Sequence, residues 1–244
     1  MRPGQITIIV PTKNEAHNIA PFLKSIPPAM ELVVVDASDD ETPQLIVSLR
    51  PAHTTVLRVR SNIAQARQIG AERADTPWLL FTDADVFFAA DYFERLPTHD
   101  TYDVLYGPKL SLDDYQRYYR WVARAQYLSD RLGVPAASGS NLLISRAAFQ
   151  RSGGFDLRLS VNEDSEIVWR IKRLGLRVAF TFDLVVYARD HRRLRRGVLR
   201  KTLHSIVRCG LLYLNVMPDR WRSHDWGYWS GRRSTESGDS GAQI

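Results

Sequence analysis

Two aspartates one residue apart, Asp83 and Asp85, interrupt the apolar run LLFTDADVFF at residues 79–88. Ionised carboxylates are costly to desolvate and repel each other, so this pair must face water or share a cation. In an extended segment, residues i and i+2 project to the same side, which lets both carboxylates approach one ion. Hard oxygen ligands suit Mg2+ or Mn2+, ions that stay partly hydrated and complete their shell with substrate phosphate oxygens. Asp-x-Asp alone is weak evidence, and its place directly after a buried strand is what gives it weight. A second acidic group, Glu163 and Asp164 in VNEDSEIVWRIKRLG, stands where a helix begins. Asp164 there is either a helix cap or, on the rim of a cleft, a general base for a hydroxyl. Glu166 and Arg170 are spaced to pair across one helical turn.

The elements that must position these acids follow from the apolar pattern. ITIIV (6–10) and LVVV (32–35) read as buried strands, and Ile19, Phe22, Leu23 and Ile26 between them fall at helical spacing. A second helix begins at Thr42 with Pro43 in its first turn, followed by a strand at 55–59, a helix at 64–74 and a strand at 78–82. This alternation predicts an α/β fold with a mostly parallel sheet covered by helices on both faces. Ligands of such sheets sit outside the carboxyl ends of the strands. There ITIIV runs into Pro11, Thr12, Lys13, Asn14 and Glu15, LVVV into Asp36, and LLFT into Asp83 and Asp85. One Asp after a strand is more often a turn or cap residue; three converging on one edge point to a site. Beyond Asp85 the pattern predicts a strand within 103–108, a helix over 112–132, a strand at 141–145, a helix at 164–174, a strand at 177–181 and a helix at 195–216.

The net charge of +6 is unevenly placed: residues 189–233 carry +9 and the remainder carries −3. That asymmetry suits contact with phosphates, of a nucleotide or a lipid surface, or else a solvated basic face. In the final helix Leu199, Leu203, Ile206, Val207, Gly210, Leu211 and Leu214 form a stripe, with Arg200, Lys201, His204 and Arg208 elsewhere on it. Trp221, Trp226, Tyr228 and Trp229 follow. A basic amphipathic helix beside tryptophans fits an anionic membrane interface, the alternative being a helix packed on the sheet. The expected organisation is a catalytic domain at 1–190, a basic helical extension at 191–229 and a disordered tail at 230–244. Cys209 is the only cysteine, which excludes an intramolecular disulfide and fits a cytoplasmic protein, including one at the cytoplasmic membrane face. The apolar run before Pro11 is too short for a signal peptide and no run approaches a membrane span, so a soluble or surface-lying chain is expected. No nucleic-acid-binding module is apparent, and nucleic acid is not an expected partner.

Five segments fall in a recognisable order: VPTKNE (10–15), VVVDASDDET (33–42), ARQIGAERADTPWLLFTDAD (66–85), SGSNLLISRAAFQRSGGFD (138–156) and NEDSEIVWRIKRLG (162–175). With them the chain resembles the inverting family 2 glycosyltransferases of GT-A fold, a Rossmann-like nucleotide-diphospho-sugar transferase fold. The resemblance implies transfer of a sugar from a UDP- or GDP-linked donor to an acceptor hydroxyl, with inversion at the anomeric carbon. It implies that Pro11, Thr12, Glu15 and Asp36 line the nucleoside pocket, that Arg67 serves the nucleotide, and that Asp83 and Asp85 hold the ribose side and the metal. Asp164 matches the usual base, and His191 lies where relatives carry a histidine near the metal or diphosphate; otherwise it is a structural histidine among arginines. The GGFD turn at 153–156 calls for a glycine with positive φ and a close backbone approach. Two segments depart from the family pattern: Asp-Ala-Ser-Asp-Asp replaces Asp-Gly-Ser-Thr-Asp, and Gln68 replaces the common Asn. The rival readings are a phosphohydrolase using Asp83-x-Asp85 and a non-catalytic membrane-surface binding protein.

Overall fold

The structure is a computed structural model and describes residues 1–99, 101–191, 194, 207–214 and 216. Strand β1 (Ile6–Thr12) is buried along its whole length, as a strand covered on both faces must be. Around it the chain alternates: α1 (Ala16–Lys24), β2 (Glu31–Asp36), α2 (Thr42–Leu49), β3 (Thr54–Arg58), α3 (Ile63–Arg73) and β4 (Trp78–Thr82). The second half contributes β5 (Val86–Phe88), α4 (Tyr92–Arg95), β6 (Val104–Tyr106), β7 (Lys109–Ser111), α5 (Gln116–Arg131), β8 (Asn141–Ser145), α6 (Arg146–Ser152), α7 (Glu163–Arg173), β9 (Val178–Phe180) and β10 (Val186–Ala188).

The main sheet runs β3-β2-β1-β4-β8-β6-β9 and is parallel except that β8 opposes both β4 and β6. A small sheet, β5-β10-β7, stands beside it. Alternate strand residues feed two cores, as the two-residue period of a strand requires. Ile8, Val10, Leu32, Val34 and Leu80 pack with Phe22 and Tyr92 on one face. Ile9, Leu79 and Phe81 pack with Phe149, Ile167 and Ile171 on the other. Each of these fully buried side chains contributes about 1.5–3 kcal/mol through removal of apolar surface from water.

The expected α/β class and mostly parallel sheet are therefore present, with the first four strands where the apolar runs placed them. The helix expected from residue 112 starts only at Gln116, because Tyr115 adopts a left-handed φ of 60° and Ser111 bonds to Asp113 and to the Asp114 carbonyl in a turn. Strands β5, β7 and β10 span three residues each, too short for alternation to register. Of the helix expected at 195–216, residues 207–213 are helical. Residues 195–206 and 215, including Leu199, Arg200, Lys201, Leu203, His204 and Ile206, lie outside the described residues, as do Arg192, Arg193, Trp221, Trp226, Tyr228, Trp229 and the 230–244 tail. Within the described turn the expected faces are kept only in part: Leu211 of the stripe packs with Leu159 and Leu212, but Arg208, assigned to the basic face, is buried, and Val207 and Leu214 are exposed. The cause is docking against the start of α7, where Arg208 Nη2 donates to the Val161 carbonyl at 3.4 Å and Asn162 Nδ2 to Cys209 Sγ at 3.2 Å. No helix among the described residues is long and apolar enough to cross a membrane.

Candidate active site

Helix α3 is fixed at its start by a capping box: Asn62 Oδ1 accepts from Gln65 N at 2.8 Å, and Gln65 Oε1 accepts from Asn62 N at 3.0 Å. One turn on, Arg67 points into the protein and is 2% exposed. Its Nη2 donates to Asp83 Oδ1 at 2.8 Å, and its Nη1 makes a short bond to Glu163 Oε1. A loop at 138–140 closes over this cation. Gly139 is required there, since a Cβ at that position would overlap the Arg67 guanidinium. Gly139 N donates to Asp164 Oδ2 at 2.6 Å, Ser165 N donates to Asp164 Oδ1 at 2.6 Å, and Ser140 Oγ donates to Asp83 Oδ2 at 2.5 Å. One guanidinium and one loop thus hold three carboxylates, one just after β4 and two at the start of α7, in a fixed relation.

Burial dominates the electrostatics of the group. It pushes Glu163 up to about 7 despite the opposing pull of Arg67, with the neighbouring Asp164 adding to the rise. Asp164 is raised by the same desolvation, against the lowering effects of Arg67 and its two backbone donors. Burial works against the charge on Arg67, but Glu163, Asp83 and Asp164 outweigh it and its pKa rises. Asp164 stands at the second position of α7, after the left-handed Asn162, rather than at the cap. Each of its oxygens keeps lone-pair capacity beyond the one backbone bond. Glu166 and Arg170 pair as their spacing required, at 3.0 and 2.6 Å.

Asp85 faces Lys109 of β7, whose Nζ lies 3.1 Å from its Oδ1. His191 is buried, with Nε2 at 2.8 Å from Asp113 and Nδ1 at 3.2 Å from the Tyr119 hydroxyl. Ser111 and His191 together hold Asp113 down at about 2. Among the described residues no three His, Cys, Asp or Glu side chains converge on a common cation position, so Asp83, Asp85 and His191 are not gathered as three ligands. Asp83 has Arg67 and Ser140 on its two oxygens, and both nitrogens of His191 are engaged. Asp85 offers a carboxylate to Mg2+ or Mn2+, ions that complete their shell with water and substrate phosphates, and each Asp83 oxygen keeps lone-pair capacity beyond its one bond.

Pro11, Thr12, Glu15 and Asp36 gather at the ends of β1 and β2, where Thr12 and Asp36 are in register. Asp36 is buried and accepts from Thr12 Oγ1 at 2.7 Å, Ser38 Oγ at 2.6 Å and Ser38 N at 3.2 Å, with Arg58 Nε 3.1 Å away. Those four donors meet the lone-pair sites of the carboxylate. Glu15 accepts from Asn18 Nδ2 at 2.6 Å, and its own N–H donates to Thr42 Oγ1 at 2.9 Å. This cluster does not line the cavity described next; His17, near it on α1, lies 3.8 Å from Asp190, which does.

A cavity of about 600 Å³ receives Arg67, Asp83, Asp85, Asp164 and His191, within the size range of small-molecule sites. Its opposite wall is α5, through Tyr118, Tyr119 and Val122, and the 207–213 helix closes one side with Cys209, Gly210 and Tyr213. Lys109, Tyr119 and the 138–140 loop were not assigned from the sequence. Nothing local marks Lys109, and the Arg67–Glu163 pair spans 96 residues. The GGFD turn does have the expected geometry: φ is 78° at Gly153 and 77° at Gly154, and Gln68 Oε1 accepts from Phe155 N at 3.0 Å.

Residues 7–153 match the family described as Glycosyl transferase family 2. The chain belongs to this family. It is 25% identical over 224 residues to the pre-mycofactocin glycosyltransferase of Mycobacterium tuberculosis, covering 82% of this chain and 46% of that protein. It is also 25% identical over 198 residues to the succinoglycan biosynthesis protein ExoA of Rhizobium meliloti, covering 71% and 60%. This family member therefore spans about half the length of the curated relatives it matches. Among solved structures it resembles the mannosyltransferase PcManGT from Pyrobaculum calidifontis in complex with GDP-Man and Mn2+, with a TM-score of 0.64, 23% identity and coverage of 91% and 72%. It likewise resembles S. aureus TarS in complex with UDP-GlcNAc, with a TM-score of 0.67, 18% identity and coverage of 91% and 69%. These likenesses give the fold as GT-A. Family membership also favours a transferase over the phosphohydrolase and purely membrane-binding alternatives.

Proposed function

We propose that this chain moves a sugar from a nucleoside diphosphate donor, UDP- or GDP-linked, to an acceptor hydroxyl with inversion at the anomeric carbon. The observation that carries the reading is the placement of Asp83, Asp85 and Asp164 on one cavity at the carboxyl ends of the strands, with Lys109 and Arg67 among them. Pro11, Thr12, Glu15 and Asp36 shape the nucleoside end, and the cavity under α5 takes the sugar and the acceptor. Asp164, oriented by Gly139 N and Ser165 N, draws the proton from the acceptor hydroxyl as its oxygen attacks the anomeric carbon. The bond to the diphosphate breaks, and its electron pair leaves with the phosphate oxygen. A diphosphate leaving group needs charge neutralisation rather than protonation. Lys109 offers a positive charge beside Asp85, and a Mg2+ or Mn2+ ion held by Asp85 supplies further neutralisation when bound. The acceptor is a saccharide or a lipid-linked hydroxyl, met in the cytoplasm or at the cytoplasmic membrane face.

A screen of UDP- and GDP-sugars for thermal stabilisation and nucleoside diphosphate release, each with Mn2+ and with EDTA, tests the reading. One donor class should raise Tm and be cleaved, more so with Mn2+. Failure of every donor in both readouts would remove the proposal, and equal cleavage in EDTA would remove the metal from it.

A further inference from the structure

Helix α5 carries more than a core face. Tyr119, Ala123 and Gln126 are buried against the body, and Tyr118 and Val122 line the cavity. Next to that lining, at helical spacing, Trp121, Leu128 and Leu132 are 54, 59 and 74% exposed. Beyond them Arg117, Arg120, Arg124 and Arg131 form an exposed basic row, and none of the four is ion-paired among the described residues. The one acid of the helix, Asp130, accepts from the Tyr106 hydroxyl at 3.0 Å instead. A second apolar strip flanks the same cavity: Val207 and Leu214 are exposed on the helical turn whose Gly210 and Tyr213 are lining residues.

Large apolar side chains left in water beside a site mark a surface that meets a partner. Tryptophan and leucine next to exposed arginines match the headgroup zone of an anionic bilayer, where aromatic rings settle and cations meet lipid phosphates. Two copies of this face would set arginine rows against each other. We propose that the mouth of the cavity rests on an anionic lipid surface through Trp121, Leu128 and Leu132 of α5 and through Val207 and Leu214, with the arginine row on lipid phosphates. The acceptor then enters toward Asp164 from the membrane side; this part rests on the function proposed above.

The test uses the full chain and vesicles of phosphatidylcholine with or without phosphatidylglycerol. An environment-sensitive fluorophore is attached at Leu132→Cys, because burial pushes the Cys209 thiol up to about 11 and leaves it poorly reactive. Emission should shift to the blue on anionic vesicles alone. Leu128→Glu with Leu132→Glu, and separately Arg124→Glu with Arg131→Glu, should lower vesicle partition by about tenfold or more. Nucleoside diphosphate release from a soluble donor should stay unchanged in both. Sedimentation with vesicles while the label reports water would assign binding to another surface, such as the basic C-terminal segment, and overturn the proposal. A blue-shifted label without vesicles would overturn it too, in favour of a second copy if the mass doubles and of the chain's own C-terminal segment if it does not. Vesicle binding without any donor cleavage would sink the transferase reading and leave the lipid surface standing.

Discussion

Asp164 is held by two backbone donors at 2.6 Å, Gly139 N and Ser165 N, and is raised by burial. A base must be ionised to act, so the acid limb of the pH–rate profile should lie above the ordinary aspartate range; a limb at or below that range would place proton removal on another group. Arg67 is the counter-charge that makes this crowd of carboxylates tolerable. Truncating one partner of a buried pair leaves an uncompensated charge, so Arg67→Met should cost about 3–5 kcal/mol in urea unfolding, with the midpoint falling and the slope unchanged. Glu163, raised to about 7, binds its proton more tightly folded than unfolded. Its contribution to stability is thus fully present below the ordinary glutamate range and is lost as pH rises through about 7; Glu163→Gln should flatten that fall. The strand-end acids were legible in the sequence because carboxylates after apolar runs have few reasons to be there. Lys109 and the Arg67–Glu163 pair were not, because partners 24 and 96 residues apart leave no local pattern.

The site is assembled from the ends of elements, and the short 138–140 loop does most of the aligning. Gly139→Ala must push the Arg67 guanidinium aside. Overpacking of this kind should cost about 1–3 kcal/mol and should lower kcat more than it raises KM, as steady-state kinetics would show. Removing the α3 capping box with Asn62→Ala, farther from the chemistry, should cost about 1 kcal/mol and leave kcat nearly unchanged. The long apolar strands β1, β2, β4 and β8 were legible to within two residues because burial on both faces writes continuous apolar runs. The small sheet β5-β10-β7 was not legible: its strands are three residues each, too short for alternation to register, and they pair segments at 86–88, 109–111 and 186–188 that are distant in the chain. At the 207–213 turn, spacing marked Val207 and Leu214 as apolar and Arg208 as basic but could not tell which side docks, and docking on α7 buries Arg208 while Val207 and Leu214 stay exposed.

At the scale of the whole molecule, the proposed function puts the nucleoside at the ends of β1 and β2 and the sugar in the cavity walled by α5. Ligands that bind only the folded state raise its stability, by about 2.7 kcal/mol at a hundredfold excess over Kd. A bound donor should therefore raise Tm in wild type, and Lys109→Ala should reduce that gain for a diphosphate more than for a monophosphate. Chemistry and binding separate most cleanly at Asp164. The decisive measurement is nucleoside diphosphate release by wild type and Asp164→Asn, with donor-induced Tm shift recorded on the same samples. Asp164→Asn should keep the Tm shift unchanged with release lowered about 10²–10⁴-fold, the range a general base supplies. Release by Asp164→Asn at the wild-type rate would contradict that role.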